Sequence, residues 1–118
     1  MYEDYLEFVF GYLGIHGIIL DLEPCTTEEW CQGDMAEAYC AELGSWGPIK
    51  VFEIEYLESL ESDHVAFHKM IAHECVHIQQ VLRGDTFNCD LPYDQQPHEI
   101  EAYTMQEEVY NAWLKQKY

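Results

Sequence analysis

The sequence predicts an α+β domain on three observations. Apolar residues recur at helical spacing from about Ser62 to Gly84 and again after Pro97, with start and stop signals at the ends. Two other stretches, IHGIILDLEP and PIKVFEIEYLE, are β-branched or nearly alternate apolar with acidic side chains, as half-buried strands do. Finally, 118 residues can enclose one core but not two, so a single domain spanning 1–118 is expected.

In chain order, Tyr5, Leu6, Phe8, Val9 and Tyr12 predict a short helix over Tyr2 to Tyr12, stopped by Gly11 and Gly14. IHGIILDLEP reads as a strand ending at Pro24, and CTTEEWCQGD as a connecting loop with room for one helical turn. MAEAYCAEL and PIKVFEIEYLE flank GSWG and predict a β-hairpin, although the Ala, Glu and Leu of DMAEAYCAEL also suit a helix. Ile49 to Leu57 could also pair its edge with an extended peptide. HVAFHKMIAHECVHIQQVLR follows the cap candidates Ser62 and Asp63 and meets its stop at Gly84. DTFNCDLPYDQQP reads as a loop, and Pro97 is suited to open the last helix, HEIEAYTMQEEVYNAWLKQK.

Composition narrows the partners. With 23 acidic residues against 5 basic ones and a net charge of −18, the chain is not built for phosphate recognition, so neither nucleic acid nor an anionic membrane surface is expected. A neutral or basic polypeptide is the more natural partner. The five cysteines form no C-x-x-C pair, and their odd number leaves one over in any full disulfide scheme, so reduced thiols are expected. The N-terminal stretch lacks a basic segment followed by an apolar run, and no segment has membrane-span length, which predicts a soluble, cytoplasmic protein.

The chemistry concentrates in IAHECVHIQQ. His73 and His77, four residues apart on a helix, project from one face and can reach one ion, and Glu74 lies on the flank of that face. A third ligand is needed, and the helix after Pro97 offers His98, Glu99 and Glu101. At about 100° per residue, Ala102, Tyr103, Gln106, Tyr110 and Trp113 all fall within about 60° of Glu99, whereas Glu101 points roughly the opposite way. Glu99 is therefore the expected third ligand, with Glu101 the alternative, and Zn2+ the expected cofactor. Relative to His73, the pair His64 and His68 lies about 180° and about 140° away and cannot share its ion. His16 and His98 are expected to have no metal role. Cys75 lies about 160° from His77 and is expected to be a core thiol. Cys89, between the two ligand helices, is a remote fourth-ligand candidate.

HECVHIQQ followed by PHEIEAY resembles the gluzincin pattern, H-E-x-x-H and then E-x-x-A on a later helix. It is similar to the minigluzincins and to the metallopeptidase domains that cleave phage-type repressors. The resemblance spans Ser62 to about Trp113. It implies a zincin-like α+β fold, with a small antiparallel sheet packed on the H-E-x-x-H helix and on a C-terminal helix carrying the third ligand. It further implies zinc-dependent peptide hydrolysis, with His73, His77 and Glu99 as ligands, Glu74 as the general base and a protein or peptide as substrate. One departure stands out: Tyr103 follows the Ala where many gluzincins have Asp or Asn bonded to a ligand histidine, leaving Glu101, Asp90 or Asp94 as replacements. Tyr103 and Tyr93 are the candidates for stabilising an oxyanion, and Gln80 for lining the cleft. The alternative function is a catalytically silent metal-binding module that recognises a protein.

Overall fold

The computed structural model describes residues 2–26, 38–87 and 90–117. Helix α1, Glu3–Leu13, buries Tyr5, Val9 and Leu13, one stripe of an amphipathic helix, and ends where Gly14 takes a left-handed conformation. Strands β1, Ile18–Cys25, β2, Ala38–Trp46, and β3, Ile49–Leu57, form one sheet. Helix α2, His64–Arg83, and helix α3, Pro97–Lys117, complete the element order, with short 3₁₀ turns at Glu58–Ser62 and Tyr93–Gln95. The expected loop CTTEEWCQGD lies, after its first two residues, outside the described residues, as does Cys89.

The fold is α+β, as expected, but the sheet is mixed and not antiparallel. Its order is β1-β3-β2, with β2 antiparallel and β1 parallel to β3. The hairpin is local, whereas β1 must find the far edge of β3, a pairing that no turn signal announces. What fixes it is burial: Leu20 opposes Phe52 and Leu22 opposes Ile54, so that alternate residues of both strands reach one face. Since β3 is flanked on both sides, it has no free edge for a peptide, which corrects that expectation. Among the described residues, β2 has only β3 as a neighbour.

Two smaller departures have simple causes. The strand β1 runs through Pro24 to Cys25, which an edge strand permits because one side of its backbone has no ladder to feed. Gly44 to Trp46 belong to β2, and the turn is carried by Gly47 and Pro48, with Gly47 at φ +59°, where a side chain would be strained. A register shift between Glu42 and Gly44 absorbs the extra residue.

The core lies between the sheet and the helices. Phe52, Ile54 and Tyr56 of β3 meet Phe67, Ile71, Ala72, Cys75, Val76 and Ile78 of α2, with Tyr5 and Val9 of α1 completing the cluster. Tyr5 donates its hydroxyl to the His68 carbonyl at 2.8 Å, and Gln79 donates to the Leu13 carbonyl at 2.9 Å, tying α1 to both halves of α2. Asp63 caps α2, accepting from the Ala66 amide at 3.1 Å, and Gly84 closes it at φ +82°. Helix α2 is thus held along its length, which gives its side chains fixed directions.

Candidate metal centre

His73 and His77 stand one turn apart on the buried helix α2 and meet Glu99, in the first turn of α3. His73 Nε2 lies 3.0 Å and His77 Nε2 3.3 Å from the same oxygen, Glu99 Oε1. One ligand atom from each of these three residues fits within 4.8 Å of the others, and no other group of three or more metal-ligating side chains does so among the described residues. Glu74 is buried beside them, its Oε2 3.9 Å from His73 Nε2.

Charges follow from this geometry. Burial works to raise the Glu99 carboxyl, but hydrogen bonds and charge from His73 and His77 outweigh it and hold it well below the carboxylate range. Burial likewise works to lower His77, but the hydrogen bond with Glu99, the charge of Glu74 and the bond with Gln80 push it up to about 9. Glu74 is raised, chiefly by desolvation and further by Glu99, against the pull of the two histidines. The cluster therefore balances carboxylates with protons, and a divalent cation coordinated by both Nε2 atoms and Glu99 offers the same compensation. The donor set, two imidazoles and one carboxylate, suits zinc.

Both Nδ1 atoms face amides. His77 Nδ1 donates to Gln80 Oε1 and His73 Nδ1 to Gln106 Oε1, each at 2.8 Å. The residues expected to support the histidines were Glu101, Asp90 or Asp94, and sequence reasoning placed Gln106 on the inward face but missed its contact with His73. A signal existed, since Gln106 falls within about 20° of Glu99 on the helical wheel, on the face already identified as inward. Gln80 does not simply line the cleft: it is fully buried beneath it.

Glu101 does not point away from α2, contrary to the wheel. Its Oε1 accepts from Gln80 Nε2 and from Arg83 Nη2, each at 2.8 Å. The centre of the α3 face is Ala102, which is fully buried, and not Glu99. Glu99 and Glu101 flank Ala102 by about 60° and about 100°, and both side chains are long enough to reach α2 from opposite sides. Glu101 is thereby engaged away from the His pair.

The remaining candidates sort by distance. His64 and His16 are exposed, and His68 packs its ring 4.3 Å from that of Tyr5. Cys75 is fully buried in the core. His98 is nearer than expected: its Nε2 lies 3.8 Å from Glu99 Oε2, its ring stands 5.9 Å from that of His77, and its Nδ1 is buried with no partner. Tyr93 donates to Glu99 Oε1 at 3.1 Å, its hydroxyl is 3.2 Å from that of Tyr103, and the Tyr103 ring stands 4.5 Å from that of His73.

Two hollows meet at Glu99. One, of roughly 420 Å³, is bordered by Tyr93 and Tyr103. The other, of roughly 190 Å³, is lined by His77, His98, Cys40, Phe52 and Phe87, the Phe87 ring standing 4.7 Å from that of His98. The class thus defined is an α+β domain with a His-His-Glu cluster in an open depression. Comparison of the chain with known protein families, curated proteins and solved structures gives no match.

Proposed function

We propose that this chain is a zinc-dependent peptide hydrolase of the gluzincin type, with a zincin-like fold. His73, His77 and Glu99 hold the ion, and Glu74 is the general base. The observation that carries the reading is the convergence of both Nε2 atoms on one Glu99 oxygen, with the buried Glu74 carboxylate beside them.

Bound zinc supplies a Lewis acid that polarises a carbonyl and acidifies water. Glu74 would take the proton of the attacking water and deliver it to the leaving amine, its carboxylate lying beside both histidines for that transfer. The Tyr93 and Tyr103 hydroxyls, at the edge of the cluster, are the donors proposed for the carbonyl oxygen as charge develops on it. An extended peptide fits the neighbourhood: β2 comes closest of the three strands to α2, and its Cys40 and Glu42 line the hollow beside His77. The acidic charge favours neutral or basic peptides over nucleic acid. Among the described residues, no helix is long and apolar enough to cross a membrane.

The test is metal content and cleavage of a peptide library by wild type and Glu74→Gln. Wild type should hold one zinc per chain, and Glu74→Gln should keep the zinc while losing on the order of 10²–10⁴-fold in rate. Absence of stoichiometric zinc sinks the assignment. The second reading, a silent metal-binding module that recognises a protein, is favoured by the Tyr93 hydroxyl seated on Glu99. Zinc binding without Glu74-dependent cleavage would select it.

A further inference from the structure

We propose that Gln80 and Gln106 are positioning residues whose amide carbonyls lock His77 and His73 in the tautomer that offers Nε2 to a divalent metal ion. The inference rests on the metal site proposed above and adds what sets the direction of its ligands.

Two series of hydrogen bonds run inward from the surface. Glu101 is ion-paired with Arg83 and Glu107 with Lys69, each at 2.8 Å, so both are carboxylates that can only accept hydrogen bonds. Gln80 Nε2 donates to Glu101 Oε1 at 2.8 Å and to the His98 carbonyl at 2.9 Å, and Gln106 Nε2 donates to Glu107 Oε2 at 3.1 Å. With the NH₂ ends committed to acceptors, the carbonyl ends must face the histidines. An amide oxygen cannot donate, so each Nδ1 carries the proton that bonds it. In a neutral imidazole the other nitrogen, Nε2, is then the one with a free lone pair.

Two parallel chains result: Arg83, Glu101, Gln80, His77 on one side and Lys69, Glu107, Gln106, His73 on the other. Both end in a neutral amide where a carboxylate is the commoner partner of a ligating histidine, so they orient the ring without adding negative charge next to it. The two differ in stiffness. Gln80 is fully buried and has both ends bonded to α2 or α3 neighbours, whereas Gln106 is half-buried and its outer partner is the adjacent residue on its own helix.

The experiment is zinc affinity by chelator competition for wild type, Gln80→Leu, Gln106→Leu and Gln106→Glu, with imidazole ¹⁵N spectra of the zinc-loaded proteins. Each Leu variant should weaken zinc about 10–100-fold, Gln80→Leu the more, while Gln106→Glu, which keeps an acceptor for His73 Nδ1, should bind at least as tightly as wild type. The wild-type spectra should show protonated Nδ1 on both rings. A role confined to packing predicts the reverse order at position 106, with the apolar Leu tolerated. Should Gln80→Leu fail to fold, position 106 decides alone. If wild type binds zinc but Gln106→Leu matches it, or if either histidine ligates through Nδ1, the inference falls while the metal site stands. Wild type without zinc overturns both.

Discussion

Helix α2 carries two histidine pairs of identical spacing, His64 with His68 and His73 with His77, and among the described residues only the second meets a carboxylate. His64 is exposed, and His68 spends its Nδ1 proton on the His64 carbonyl at 2.7 Å. At the second pair, both Nδ1 atoms are held by amides and both Nε2 atoms aim at Glu99. The difference lies in the direction each pair takes from the helix and in what α3 delivers there. A four-residue spacing creates an opportunity for a shared ion, and a carboxylate from another element turns it into a candidate site.

The largest effect should come from breaking the second pair. His77→Ala and Glu99→Ala are expected to lower zinc from one equivalent to none, whereas the double variant His64→Ala, His68→Ala should keep a full equivalent. Metal analysis after gel filtration measures it. Loss of zinc from the double variant would mean that the two pairs are not independent.

How much of this contrast could be read from the sequence depends on the range of the interactions. The helical periodicity, the Asp63 cap, the Gly84 stop and the opposed directions of the two pairs are local properties of α2, and all are legible. Glu99 was legible too, because its direction on α3 follows from the same periodicity. The inward reach of Glu101 was not, since it depends on Ala102 lying at the helix contact. The nearness of His98 depends on how α3 starts against α2. The parallel pairing of β1 is settled only when distant strands share a buried face. Gln80 and Gln106 fall between these cases: their direction was readable, but not the histidine that each would meet.

Ala102 is where the approach of α3 can be loosened without touching a ligand. It has no exposed surface, and Glu99 and Glu101 reach α2 on either side of it. Ala102→Leu should cost about 1–3 kcal/mol through overpacking. By moving Glu99 away from the His73 pair, it should also weaken zinc. Thermal melts and chelator competition read the two effects separately. Unchanged zinc affinity would mean that Glu99 does not depend on this contact.

The pair also predicts how the metal-free protein responds to pH. The His77 pKa rises on folding from 6.5 to about 9, so its contribution to stability is complete below 6.5 and disappears as pH climbs through about 9. The Glu99 carboxyl is depressed from 4.5, so its contribution is complete above that value and lost only as pH falls through the folded-state value. Together they stabilise the fold most between about 4.5 and about 6.5. With chelator present, the difference in Tm between wild type and Glu99→Gln should be widest in that window and shrink toward about pH 9. A difference constant across it would show that the two side chains are not electrostatically linked in the metal-free state.

The smallest effect separates the ends of α2. Asp63 caps the helix next to His64, and removing the cap should fray the first turn while the core residues from Ile71 to Ile78 keep the second pair in place. Asp63→Ala is expected to cost about 1 kcal/mol, lowering Tm by roughly 4 °C in a domain of this size. Zinc affinity should not change, because neither His73 nor His77 lies in the frayed turn. Hydrogen exchange should quicken at the amides just after Asp63 and not near His77. If zinc weakens along with the melting temperature, the second pair takes its rigidity from the whole helix and not from the core beneath it.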